Sequence, residues 1–307
     1  MAAIIECKNL SKHYGSVRAL DNLDLLITDN SPTGLIGPNG AGKTTLFSVL
    51  CGFVIPGSGN ALLNGKPPGH SSLMGKLSIL PQDTPFTRGI SVKSQLELYA
   101  RLQGMSGTAA KNEVMQKLEL VELKDISKQF PETLSFGQRK RITFAQALIG
   151  NPEIVFLDEP TSGLDPVAAA QIRNLIMNLR DDKLLMISSH NLEEIQDLCK
   201  QVVMINHGRV IEHRNISDLI EQETCITLKL DRALPENVAA RLSSDPEIRS
   251  IEINKNNFEI ITVYSRDKIE NLQMKVLQFM QQNNINVIQF SRGTTLAEKI
   301  RDLANQT

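Results

Sequence analysis

The stretch "GPNGAGKTT" (residues 37–45) puts three glycines and a lysine into nine positions. It runs straight into an apolar, helix-like segment, "LFSVLCGF" (46–53). Glycines so closely spaced would weaken any helix or strand containing them. The stretch is therefore either a tight turn or a loop whose bare N–H groups come close to a ligand. It fits GxxxxGK[ST] through Gly37, Gly42, Lys43 and Thr44, and the apolar "TGLIG" (33–37) before it supplies the strand this motif requires. In that reading the backbone from Gly37 through Pro38, Asn39, Gly40, Ala41 and Gly42 forms an anion nest, and the N-terminus of the following helix adds partial positive charge. Lys43 then reaches the β- and γ-phosphates of a nucleotide, Thr44 offers a hydroxyl to Mg²⁺, and Thr45 continues the first helical turn.

A second segment completes such a site. "IVFLDEP" (154–160) is a short apolar run, as expected of a strand buried on both faces, and it ends in two acids. Asp158 is placed to hold Mg²⁺ through its water shell. Glu159 is placed to accept a proton from an attacking water. Taken alone, the pair could be a strand end with two solvated carboxylates; beside a complete phosphate loop the catalytic reading prevails.

Composition restricts the alternatives. The chain has 307 residues, enough for one large or two ordinary domains, and 41% of them are hydrophobic. There is no long apolar run, and "MAAIIECKNL" lacks the basic start of a signal peptide, so a cytosolic product without its own membrane anchor is expected. A formal net charge of −1 gives no general attraction to nucleic acid, and the absence of tryptophan leaves little material for base stacking. The four cysteines (Cys7, Cys51, Cys199, Cys225) form no CxxC pair and read as reduced thiols.

The pattern along the chain is strand–helix alternation interrupted by helices. Residues from about 91 to 150 are expected to be a helical lobe: "SVKSQLELYARLQG" and "AAKNEVMQKLELVEL" repeat apolar residues every three or four positions. "KLLMISSH" (183–190) reads as another buried strand and "QVVMINHGRVIE" (201–212) as a hairpin turning at His207–Gly208. Beyond about residue 221 the texture changes. "CITLKL", "EIRSIEI", "FEIITVY" and "INVIQF" are candidate strands, with helices expected around Val238–Leu242 and from Lys268 to Met280. In the longer helix Ile269, Leu272, Val276 and Phe279 share a face. The order β-α-β-β-α-β is that of a small split-βαβ domain. A last helix is expected from Thr295, where "TLAE" forms a capping box with Glu298. The expected division is residues 1–221, an α/β nucleotide-binding domain, and residues 222–307, an α+β accessory domain.

Four further segments carry a specific resemblance. "LSFGQRKR" (134–141) resembles the LSGGQ signature of ATP-binding cassette (ABC) proteins, and it precedes "FLDEP" by about one helix. Gln82 in "ILPQD" resembles the Q-loop glutamine, Asp165 in "SGLD" the D-loop aspartate, and His190 in "SSH" the switch histidine. Tyr14 in "KHYGSVRAL" resembles the aromatic that stacks on adenine. Each residue alone has an ordinary alternative as a turn, packing or capping residue. Their joint order over residues 4–215 carries the resemblance. One departure stands out: Phe136 occupies the place of the first signature glycine, while Ser135, Gly137 and Gln138 match.

The resemblance implies an ABC-type phosphate-loop ATPase core with a helical signature subdomain and a ferredoxin-like C-terminal domain. It also implies ATP and Mg²⁺ as cofactors. Gln82 joins Thr44 and Asp158 at the metal, Glu159, His190 and Lys43 serve catalysis, and Ser135, Gly137, Gln138 and Asp165 approach the nucleotide. ABC ATPases close two copies head to tail, each nucleotide lying between one copy's phosphate loop and the other's signature. A second copy of this chain and a separate membrane permease are thus expected partners, with the protein peripheral on the cytoplasmic face of the cell membrane. "RGTTLAEKIRDLA" (292–304) is similar to the C-terminal ending of ATPases of ABC-2-type exporters. A soluble, non-transport ABC ATPase is the alternative, although neither a second cassette nor heptad or Cys-cluster insertions are present. A GTPase fits less well, because the only "NK" pair, Asn254–Lys255, has no aspartate at the required offset.

Overall fold

In a computed structural model the described residues are 3–180, 182–221, 225–254, 257–266 and 272–292. The helix expected from Thr295, the first residues of the helix expected from Lys268, and Ile269 lie outside them. The elements of the first part, in chain order, are β1 (Ile5–Tyr14), β2 (Val17–Ile27), β3 (Thr33–Ile36), α1 (Lys43–Leu50), β4 (Ser58–Leu63) and β5 (Leu77–Leu80). The helical lobe follows with α2 (Val92–Leu102), α3 (Gly107–Leu120) and α4 (Phe136–Ala147). Then come β6 (Ile154–Asp158), α5 (Pro166–Leu179), β7 (Leu184–Ser188), α6 (Leu192–Leu198), β8 (Gln201–Asn206) and β9 (Arg209–Asn215).

Two sheets share one core in this part. β2, β1 and β4 pair antiparallel, while the six-stranded sheet runs β5-β6-β7-β3-β8-β9, with β5 through β8 parallel. All five residues of β6 and all five of β7 are buried, as a parallel sheet covered on both faces requires. β8 and β9 are joined at His207 and Gly208, whose φ values of 46° and 78° suit a primed two-residue hairpin turn. Phe47 of α1 stacks on Phe156 of β6, ring centroids 5.0 Å apart. This contact fixes the helix that carries Lys43 and Thr44 against the strand that ends in Asp158.

The helical lobe starts its helices with serine caps. Ser91, Ser106 and Ser135 each accept a backbone N–H, and Ser135 with Gln138 forms a reciprocal capping box. The buried stripes Val92–Leu96–Ala100 and Ala110–Val114–Leu118 follow the helical period.

Contacts divide the chain into Met1–Arg214 and Asn215–Thr307, earlier than a division after residue 221. The reason is local: α7 (Ile216–Glu221) directly follows β9, so the helical turn groups with the second unit. The second unit contains α7, β10 (Cys225–Leu230), α8 (Glu236–Ser243), β11 (Ile248–Ile253), β12 (Ile260–Ser265), α9 (Leu272–Gln282) and β13 (Val287–Arg292). Its antiparallel sheet has the order β11-β12-β10-β13, the ferredoxin-like arrangement of two interleaved βαβ units. The buried stripe of α9 is Leu272, Val276 and Met280; Phe279 only flanks it. This unit has its own hydrophobic cluster, which includes Ile226, Leu228, Val238, Ile261 and Val263. All four cysteines are free thiols, and burial pushes those of Cys7 and Cys51 up to about 12.

Candidate nucleotide-binding site

The carboxyl ends of parallel strands are where open α/β sheets collect their ligand sites, and the present cleft lies there. A cavity of about 560 Å³ is lined by Asn39 through Thr45, together with Gln82, Asp158, Glu159 and His190. These residues come from the loop after β3, the segment after β5, the end of β6 and the loop after β7.

The glycines of the loop do different jobs. A Cβ on Gly37 would sit 2.1 Å from the Ile205 carbonyl oxygen, and one on Gly42 would sit 2.3 Å from that of Ala19. These two are therefore required by close packing on β8 and β2. A Cβ on Gly40, at φ +78°, would meet nothing within 4 Å among the described residues, so the backbone there is open. Lys43 is buried; its Nζ donates to the Gly37 oxygen at 2.7 Å and the Pro38 oxygen at 3.2 Å, which centres the ammonium on the nest.

Helix α1 begins at Lys43 with Gly42 in the left-handed conformation at its cap, so Thr44 faces β6. Thr44 Oγ1 donates to Asp158 Oδ2 at 2.8 Å. The other carboxylate oxygen, Oδ1, accepts from Ser188 Oγ at 2.5 Å, because Asp158 and Ser188 are register partners at the ends of β6 and β7. Asp158 is thereby held with both oxygens engaged. Glu159 follows at φ 49°, a conformation uncommon outside glycine, and its N–H donates to Ser188 Oγ at 2.9 Å. Its Oε2 lies 2.7 Å from His190 Nδ1. The Glu159 side chain is largely buried, while that of His190 is exposed.

The remaining expected residues are placed elsewhere. Tyr14 is 49% exposed and stands at the β1–β2 hairpin opposite Val17; Val17 and Ala19 line the cavity, and Tyr14 does not. Gly37 and Pro38 lie behind the nest, outside the lining, with only their carbonyls turned to Lys43. Ser135, Gly137 and Gln138 are occupied at the start of α4 and do not line the cavity. The Phe136 ring lies against Gly163 of the "SGLD" loop, where a Cβ would meet it at 3.3 Å. Asp165 caps α5 by accepting from the N–H groups of Val167 and Ala168, and it too is outside the lining.

Three polar participants lie inside the quoted segments but had no role assigned to them from the sequence. Ser162 lines the cavity, and Ser188 bridges Asp158 and the Glu159 backbone. Lys140 of α4 is buried and donates to the Gln82 carbonyl oxygen at 2.8 Å, which ties the helical lobe to the segment after β5. Burial pulls the Lys140 amine below its ordinary pKa, against the opposing pull of Asp83, Asp158 and Glu159. Only the bridging by Ser188 had a detectable signal, a serine at the end of a buried strand beside the strand that carries Asp158.

The donor set suits a hard divalent cation. Among the described residues no three His, Cys, Asp or Glu side chains are grouped so as to hold a metal ion, so a cation here would meet one hydroxyl and one carboxylate. That is the sparse oxygen set suited to Mg²⁺, which keeps waters and takes substrate phosphates as ligands. The open nest at Gly40 with the central Lys43 ammonium fits a polyphosphate.

Nest, hydroxyl–carboxylate pair and buried glutamate together define a phosphate-loop nucleoside-triphosphatase. The family model described as ABC transporter matches residues 20–162. Nod factor export ATP-binding protein I of Cupriavidus metallidurans is 34% identical over 226 residues, covering 73% of this chain and 75% of that protein. The lipopolysaccharide export system ATP-binding protein LptB of Escherichia coli is 31% identical, covering 72% and 94%. The uncharacterized ABC transporter ATP-binding protein YcbN of Bacillus subtilis is 28% identical over 302 residues, 97% of this chain and 95% of that one. Among solved structures, cbiO1 of Clostridium perfringens, part of the transporter complex cbiONQ, has a TM-score of 0.64 at 25% identity, covering 79% and 95%. A dimeric bacterial ABC transporter cassette aligns with a TM-score of 0.63 at 24% identity, covering 69% and 98%, and supports the fold. The chain belongs to the ATP-binding proteins of ABC transporters, and it is an ATPase that binds ATP. Among the described residues no helix is long and apolar enough to cross a membrane.

Proposed function

We propose that this chain is the energy-coupling subunit of an exporter, hydrolysing ATP to drive transport through a separate membrane permease. The observation that carries this reading is the convergence of Lys43, Thr44, Asp158, Glu159 and His190 on one cleft from three separate segments. Lys43 binds the β- and γ-phosphates against the nest. Thr44 and Asp158, with Gln82 at the rim, hold Mg²⁺, which when bound neutralises phosphate charge. Glu159 takes the proton of the attacking water, and His190, 2.7 Å away, orients the carboxylate and senses the γ-phosphate.

The signature residues Ser135, Gly137 and Gln138 serve a second copy of the chain, because they do not reach the cavity of their own copy. Head-to-tail pairing would bring them, with Asp165, to the partner's nucleotide, and Tyr14 to the adenine of its own. The export direction rests on the names of the Nod factor and lipopolysaccharide export relatives. A groove beside the helical lobe, with Phe53 72% and Leu102 71% exposed at it, offers apolar surface to the permease. With a permease partner, the protein sits on the cytoplasmic face of the membrane. The test is Mg²⁺-dependent ATP hydrolysis by the full chain, alone and reconstituted with its permease. Hydrolysis that is stimulated by the permease and lost on chelation supports the reading; hydrolysis indifferent to both contradicts it.

A further inference from the structure

Close to the Glu159–His190 pair lies a buried carboxylate that does not line the nucleotide cavity and belongs to no motif read from the sequence. Glu194, in the first turn of α6, is 2% exposed. Its Oε2 accepts from Thr161 Oγ1 at 2.9 Å and from Ser189 Oγ at 2.8 Å. Ser189 Oγ in turn accepts the Asn191 N–H at 3.0 Å. The other oxygen, Oε1, is buried and has no hydrogen-bond partner among the described residues.

The two hydroxyls come from the two loops that carry the catalytic pair. Thr161 lies two residues beyond Glu159, and Ser189 immediately precedes His190. Because both bond to a single oxygen, neither loop can shift against the other without breaking the junction. The loop after β6 needs such an anchor, since Glu159 itself is held at φ 49°. A glutamate in the first turn of α6 also complements the helix dipole, but an exposed acid would do that equally well. Hydroxyls from two loops converging on one buried oxygen are the arrangement of a tether.

We propose that Glu194 is a positioning residue: it sets the separation between the Glu159 carboxylate and the His190 imidazole, and thereby the rate of hydrolysis, without contributing to nucleotide affinity. The inference rests on Glu159 and His190 being the catalytic pair. It predicts a split between turnover and binding that a purely structural role would not give.

The experiment compares Glu194→Ala, Glu194→Gln and the double variant Thr161→Ala/Ser189→Ala in the full chain, with Glu159→Gln in parallel. Turnover at saturating ATP and nucleotide affinity are measured for each. Glu194→Ala is expected to lose about 10- to 100-fold in turnover, the scale of a displacement of about 1 Å at a reacting group, with affinity changed by less than about twofold. Glu194→Gln keeps an oxygen that accepts both hydroxyls, so it should retain most of the turnover. The double hydroxyl variant should lose as much as Glu194→Ala, and it decides the matter if Glu194→Ala does not fold. Wild-type turnover in either tether-breaking variant, a parallel fall in affinity, or equal losses for Ala and Gln would overturn the proposal. If Glu159→Gln itself turns over normally, the assignment of the base fails and this proposal falls with it; normal loss there with unimpaired tether variants overturns the tether alone.

Discussion

Thr44 and Asp158, 114 residues apart in the chain, meet through a hydrogen bond of 2.8 Å between Oγ1 and Oδ2. The Phe47–Phe156 stack behind them holds α1 on β6, so the contact is set by the core rather than by the loop. Thr44→Val keeps the shape but removes the oxygen. With the carboxylate then the sole protein oxygen of the pair, Mg²⁺-dependent hydrolysis should fall by about 10- to 100-fold, the order of a lost charge-assisted contact. Nucleotide binding without Mg²⁺ should be unchanged. Calorimetric titrations with and without Mg²⁺ separate the two, and an equal loss in both would remove Thr44 from the metal site.

Lys43→Ala takes the central positive charge out of the nest. Its Nζ also bridges the Gly37 and Pro38 carbonyls, so the loop loses a brace as well. ATP affinity should drop by about 10²-fold or more, consistent with losing hydrogen bonds to a charged group. A folded variant that binds ATP like the wild type would contradict the phosphate-loop assignment.

A pH effect on stability is expected from His213. Its Nε2 lies 3.1 Å from Gln201 Oε1, and Gln201 Nε2 in turn donates to Asp29. Burial holds the imidazole below its ordinary pKa, with Asp29 and Glu212 pulling weakly upward. The folded state therefore favours the neutral ring. Its contribution is complete above the unfolded value of about 6.5 and is lost as pH falls from there through the lower folded value. His213→Gln should flatten the decline in denaturation midpoint between pH 7 and 5, and a slope identical to the wild type would exclude the effect.

Much of the site was legible because its chemistry is contiguous. "GPNGAGKTT" and "FLDEP" each state a backbone shape and a functional group within a few residues, and buried strands read as apolar runs. What escaped is held by tertiary hydrogen bonds with no sequence period. Ser188, Lys140 and Glu194 are single polar residues whose roles exist only once β6, β7, α4 and α6 are adjacent. Glu194 in "NLEE" reads as an ordinary acidic helix start. The glycines of the nest were read as ligand-facing, yet two of the three are fixed by the backbone of β2 and β8.

The C-terminal segment offers a separate test. One cluster of buried residues draws on residues up to Val210, and another begins at Ile226. Truncation after Gln222 should therefore leave ATP affinity intact, since every residue lining the cavity is at or before His190. ATP-driven dimerisation or turnover is expected to change instead, because the small core of such a segment is often only marginally stable alone and gains from packing on its own cassette or on a second copy. Collapse of affinity in a folded truncated chain would refute the division into separate domains, and unaltered dimerisation and turnover would deny the segment any supporting role.

Replacing Glu159 with glutamine tests the catalytic reading most directly. The amide preserves the contact to His190 but cannot take a proton. ATP should bind normally, hydrolysis should slow by about 10²–10⁴-fold, the usual worth of a general base, and light scattering should show an ATP-dependent dimer. Hydrolysis at the wild-type rate in Glu159→Gln would mean that another group activates the water.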